Sequence, residues 1–235
     1  MPRKLGLYYV SYKFGGAEIL SHDLKTGDRK RFATFAGSNI SPSVSPDGSK
    51  VAMILSKDGA TDLYVCGTDG SGLRRLTKSR EDESSPCWSP NGEWLSYATP
   101  EGIRLHHLES GESRMIKNAL KAAVQWSPDS KSILLRDVII KNDQFVTQLF
   151  RYDLSSETLT NLNANENMEN ILAAWSADGK FISVVRRDLS IPRGDQIWIM
   201  RADGSDAHVI TDVPAVLHGN LNWSPDGKYL LYDLY

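Results

Sequence analysis

Eight polar residues recur at one place in the repeats of this chain, and their types suit recognition of a peptide or another polar ligand. Asn39, Glu83, Lys121, Asn170 and His218 each lie six residues before a serine that opens a repeated phrase. Ser41, Ser85 and Asn220 lie four residues before the same serines, where the other two copies carry Ala123 and Leu172. The first set holds an acid, an amine and an imidazole, and every member donates or accepts hydrogen bonds. Gathered at one opening, these groups would read a polar partner. Scattered, they are the wet ends of loops. The nearby acids Glu81, Asp82, Glu166 and Glu169 read as a solvated rim.

Other chemistry finds little support. No Gly-x-Ser-x-Gly elbow or Gly-x-x-x-x-Gly-Lys loop occurs, and 235 residues leave no room for an α/β-hydrolase domain beside the repeats. His106 and His107 are strand neighbours that face opposite sides and cannot chelate together, while His22 and His208 fall in different repeats. The Asp-Gly pairs do not continue into the spaced acidic ligands of a calcium loop, so they read as turns. The expectation is therefore no enzyme, no cofactor and no metal. With 27 Lys and Arg against 29 Asp and Glu, no basic footprint for nucleic acid exists. The basic run Lys25, Arg29, Lys30 and Arg31 falls on an outer strand, where charge deters edge pairing.

The elements that must position these residues come from the phrase itself. Its copies are Ser45-Pro46-Asp47-Gly48, Ser89-Pro90-Asn91-Gly92, Ser127-Pro128-Asp129-Ser130, Ser176-Ala177-Asp178-Gly179 and Ser224-Pro225-Asp226-Gly227. They begin 44, 38, 49 and 48 residues apart. Trp precedes four of them, at 88, 126, 175 and 223, and Val44 precedes the first. Proline sets the second turn position and glycine supplies the left-handed exit, so each phrase reverses one strand into the next. Ser130 lacks that freedom, and a looser turn is expected there.

After each phrase come alternating runs, Lys50–Leu55, Trp94–Ala98, Ser132–Arg136, Phe181–Val185 and Tyr229–Tyr235. Third strands follow, as in Asp62–Val65 and Gln196–Met200, then fourth strands such as Leu73–Thr77 and His208–Thr211. Four antiparallel strands per 38–49 residues spell a β-propeller blade. The links Asp137–Thr147 and Asp188–Asp195 are longer than their early counterparts. The chain reads as one domain with units near 1–38, 39–82, 83–120, 121–169 and 170–217, plus a closing segment 218–235. Five blades are expected, with Asn220–Trp223 completing the N-terminal blade, and 228–235 competing with Leu5–Ser11 for one position. The alternative is a piece of a six-bladed protein. Cys66 and Cys87 exclude a disulfide scaffold but leave one bridge open.

The units Trp126-Ser127-Pro128-Asp129 and Trp223-Ser224-Pro225-Asp226-Gly227 resemble the repeats of TolB-type (PD40, WD40-like) propellers. So do Asp62-Leu63-Tyr64-Val65 and Gln196-Ile197-Trp198-Ile199-Met200, and over residues 5–97 also Asn39-Ile40-Ser41-Pro42 and Leu76-Thr77. The resemblance implies a non-catalytic scaffold of the Tol–Pal envelope system, with the lipoprotein Pal seated over the central channel and a periplasmic location. Against that pattern, the N-terminus Met1-Pro2-Arg3-Lys4 is not read as a secretory leader, and no N-terminal domain precedes the repeats. No 18-residue apolar run supports membrane insertion. Two rival expectations stand beside protein binding. One is an engineered, fused or excised propeller without activity, as a monomer or strand-swapped dimer. The other is a lyase-like carbohydrate-active propeller using Lys121 or His218.

Overall fold

The computed structural model describes residues 6–13, 15–117, 125–141, 143–162, 168–190, 194–211 and 217–234. Among them every regular element is a β-strand, and every strand pairing is antiparallel. The chain divides into two compact units, 1–121 and 122–235.

The first unit opens with a three-stranded sheet, β1 (Gly6–Ser11), β2 (Glu18–Asp23) and β3 (Arg29–Ala33). A complete four-stranded sheet follows: β4 (Asn39–Val44), β5 (Lys50–Leu55), β6 (Asp62–Gly67) and β7 (Arg74–Arg75). The next comprises β8 (Ser84–Trp88), β9 (Trp94–Thr99), β10 (Gly102–His107) and β11 (Ser113–Lys117). Strand alternation presents two apolar faces per sheet, so cores form between consecutive sheets. Ile19, Met53, Leu55 and Tyr64 pack between the first two, and Ile54, Leu63, Leu95 and Trp88 between the second and third.

The second unit repeats the plan. Its sheets are β12 (Gln125–Trp126), β13 (Ser132–Lys141), β14 (Gln144–Asp153) and β15 (Thr158–Asn161), then β16 (Met168–Trp175), β17 (Phe181–Asp188), β18 (Asp195–Arg201) and β19 (His208–Val209). A two-stranded sheet of β20 (Leu217–Trp223) and β21 (Leu230–Leu234) ends it. The place beside β20 for which two segments compete in the sequence is taken by β21, with Trp223 opposite Leu230, and β1 pairs with β2. The long link 137–147 is not a loop: β13 and β14 stay in register out to Lys141 opposite Gln144. Leu134, Leu149, Ile182 and Val184 fill the core between these two full sheets.

The repeated phrase works through a relay that serves all five copies. Each turn serine donates its hydroxyl to the carboxylate or amide oxygen two residues on, at 2.5 Å for Ser45 to Asp47 and 2.7 Å for Ser89 to Asn91. The same hydroxyl accepts the backbone N–H five residues on, at 2.9 Å in every copy: from Lys50, Trp94, Ser132, Phe181 and Tyr229. Only a hydroxyl can donate and accept from one atom at this spacing. The turn at Ser130 proves as tight as the others. Its N–H reaches the Ser127 carbonyl at 2.9 Å, matching Gly92 to Ser89, with Ser130 held at a φ of 62°.

The tryptophans ahead of the turns have a second bond to make. The Trp88 indole N–H donates to the Ser43 carbonyl at 2.9 Å, and Trp223 to Ala174 at 3.3 Å, each fastening a first strand to its predecessor. Cys66 and Cys87 are both free thiols, and burial pushes Cys66 up to about 11.

Candidate functional site

Six positions before three of the turn serines, the structure places anchors. Asn39 is buried, and its amide donates to the carbonyls of Ala17 at 3.0 Å and Phe35 at 2.8 Å while accepting the Phe35 N–H at 3.0 Å. Glu83 is 3% exposed. Its carboxylate accepts the Leu63 N–H at 3.0 Å and the Thr77 hydroxyl. Burial raises the Glu83 carboxyl above its ordinary range, and those two hydrogen bonds partly offset the rise. The backbone repeats one bond at both places, Asn39 N–H to Ala17 O at 3.2 Å and Glu83 N–H to Thr61 O at 3.0 Å. Ala17 stands just ahead of β2 and Thr61 just ahead of β6, each in the preceding sheet. These side chains tie one blade to the next, and their polar atoms are used inside the fold.

Asn170, in the second unit, is also buried and accepts from the Arg186 guanidinium at 3.1 Å. Arg186 lies over the Trp198 ring, 5.3 Å from its centroid, and donates to the Leu162 carbonyl at 3.3 Å. Burial lowers the Arg186 pKa. Lys121 and Glu166 lie outside the described residues. His218 and Asn220 are placed only as backbone positions of β20. Leu172 packs against the apolar cluster of Ala174, Val185 and Ile197, and so is no polar contact.

The positions four before the serine differ in kind. Ser41 is half-buried and Ser85 exposed, on first strands β4 and β8 of neighbouring sheets in the first unit. Each sits in a β-bulge, where two residues oppose one: the ladder skips from Ile40 to Ser43 and from Ser84 to Cys87. Ser41 has φ of 54° and Ser85 of 53°, left-handed values costing an L-residue about 1–2 kcal/mol. Proline follows in both cases and has no N–H to lose from the ladder. In the second unit the skip falls one residue earlier, between Asn170 and Leu172. The signal available in the sequence was the shared Ser-Pro pair, Ser41-Pro42 and Ser85-Pro86, four residues ahead of two turn serines.

Of the remaining acids, Asp82 accepts the Thr61 hydroxyl at 2.8 Å and Glu169 lies 3.5 Å from Arg187. His107 packs its edge on Trp94, whose other neighbour is the Arg114 guanidinium at 5.0 Å. Among the described residues no three His, Cys, Asp or Glu side chains cluster as a metal ligand set.

Four-stranded antiparallel sheets stacked face to face, each with a Ser-x-Asp or Ser-x-Asn turn between its first two strands, define a β-propeller, and solved propellers share the fold. The propeller domain of the trilobed protease from Pyrococcus furiosus matches with a TM-score of 0.72 at 15% identity, covering 98% of this chain and 75% of that one. The fold is TolB-like. Residues 2–104 match the family model of the TolB beta propeller domain. The Tol-Pal system protein TolB of Francisella tularensis subsp. tularensis is 26% identical over 231 residues, covering 93% of this chain and 52% of that protein. The crystal structure of TolB from Acinetobacter baumannii matches with a TM-score of 0.59 at 22% identity, over 85% of this chain and 49% of that one. The chain thus spans about half the length of these TolB relatives.

Proposed function

We propose that this chain is a non-catalytic propeller scaffold that binds a protein partner at the end of its blades where the first strands begin. The observation that carries the reading is the similarity along 93% of the chain to a protein named for the Tol-Pal system. The partner it favours is a Pal-type lipoprotein. Ser41 and Ser85 support a contact at that end, because a strained bulge repeated on neighbouring strands re-aims backbone and side chain where a plain strand would suffice for packing. Asn39, Glu83 and Asn170 act in this reading as positioning residues that fix the first strands, while the contact itself falls to the bulges.

Titration calorimetry between the chain and the soluble domain of a Pal-type lipoprotein tests it. Saturable binding that weakens in Ser41→Arg and Ser85→Arg, with both variants melting like the parent, is the expected result. No heat beyond dilution with two folded proteins overturns it.

A further inference from the structure

A lateral cleft in the first unit carries cations that the blade-to-blade bonding does not consume. It arises because β7 has two residues where its counterpart β11 has five. β7 ends at Arg75, Leu76 keeps one bond to the sheet through its N–H to the Leu63 carbonyl at 2.8 Å, and residues 77–81 run on toward the next blade. The resulting cleft holds about 460 Å³. Tyr97 forms a buried part of its lining, Arg104 and His106 line it from β10, and Lys78 and Arg80 from the departing segment. Arg104 has Glu101 at 3.9 Å, the edge of ion-pair distance, and its charge also acts on the buried Glu83 carboxyl. Among the described residues Lys78 and Arg80 have no ion-pair partner. Of the two acids on the lining, Glu83 is committed to Leu63 and Thr77, which leaves Glu81 as the exposed counter-charge.

We infer that this cleft binds an extended acidic peptide segment of a protein partner. Arg104 and His106 are two residues apart on one strand, so their side chains leave the same face about 6.8 Å apart. Alternate side chains of an extended peptide have that same period, so a strand with an acid opposite Arg104 meets at its next acid the His106 imidazole, which burial keeps neutral and which offers an N–H donor. A lone phosphate would answer one or two of Lys78, Arg80 and Arg104 and leave the rest unpaired. The cleft shares Glu83 with the first-strand end proposed above as the main contact, but neither Ser41 nor Ser85 lines it, so Ser41→Arg and Ser85→Arg test that contact while the variants below test the cleft.

Fluorescence anisotropy with a fluorescein-labelled hexaglutamate peptide tests the assignment. Arg80→Ala/Arg104→Ala should weaken binding by about tenfold, and Lys25→Ala/Arg29→Ala on the outer strand of the first sheet should leave it unchanged. Glu81→Gln, which removes an exposed acid and risks no folding defect, should tighten binding about two- to threefold. No binding by the parent chain overturns the inference. So does equal loss in the two double variants, which would report net charge alone, or an unchanged affinity in Glu81→Gln. Displacement of the peptide by inorganic phosphate, but not by chloride at equal ionic strength, also overturns it in favour of a small-anion site.

Discussion

The indole N–H of Trp88 lies 2.9 Å from the carbonyl oxygen of Ser43, joining two first strands 45 residues apart in the chain. The same tryptophan is 7% exposed and packs with Ile54, Leu63 and Leu95. One side chain thus supplies apolar filling and a directional bond between blades. Trp88→Phe keeps most of the filling and removes the donor, so it should cost about 0.5–1.5 kcal/mol, read from the urea midpoint at unchanged slope. Trp88→Ala adds a cavity and should cost about 3–5 kcal/mol.

Ser130 stands where the four other copies of the turn carry glycine. Its φ of 62° is strained for serine and free for glycine. Ser130→Gly should therefore stabilise the chain by about 1 kcal/mol in equilibrium unfolding. Gly92→Ser, at φ of 75°, should do the reverse.

Acid should weaken the turns. The Ser45 hydroxyl, with help from Ser49, holds the Asp47 carboxyl down at about 2, and Ser176 and Ser224 lower Asp178 and Asp226 in the same way. For Asp129 burial pulls upward, and the Ser127 hydroxyl and Lys131 amide outweigh it. A lowered carboxyl contributes stability above its ordinary value of 3.8, and loses it as pH falls through the folded value. Glu83 runs the other way: its contribution is complete below its ordinary value of 4.5 and is lost as pH rises through the raised one. Melting followed from pH 2 to 7 should show a steep acid limb that Asp47→Asn flattens. Glu83→Gln should remove a shallower decline above pH 4.5.

Anchoring and contact separate by mutation. Asn39→Ala removes the side-chain hydrogen bonds to the Ala17 and Phe35 carbonyls and to the Phe35 N–H, a loss of about 1–2 kcal/mol in urea unfolding. Ser41→Gly, two residues on, should stabilise by about 1 kcal/mol because it relieves the left-handed backbone. A loss of stability in Ser41→Gly would show the bulge to be unstrained.

How far the sequence discloses the molecule differs between its parts. Lys50–Leu55 is legible to the residue, because Pro46 and Gly48 fix its start and an apolar run fixes its length. The extension of β13 and β14 to Lys141 and Gln144 is harder to read, since Asp137 and Lys141 look like loop residues although their backbones still pair. The role of Asn39 and Glu83 was hidden more deeply. A polar residue before a strand looks wet, and burial shows only once Ala17, Thr61 and Leu63 arrive from the previous blade. Arg80 and Arg104 are likewise 24 residues apart, and nothing periodic in the chain links them.

The hydroxyl relay from Ser127 to Asp129 and Ser132 has a consequence in time. It closes a loop of six residues, and short loops close on the scale of tens of nanoseconds, long before strands 45 residues apart can meet. Each blade therefore carries its own nucleus, and the tryptophan bonds between blades come afterwards. Stopped-flow kinetics should show Ser127→Ala slowing folding with little change in unfolding, and Trp88→Phe speeding unfolding instead. The opposite pattern would mean that the order of assembly is set between blades and the turns merely follow.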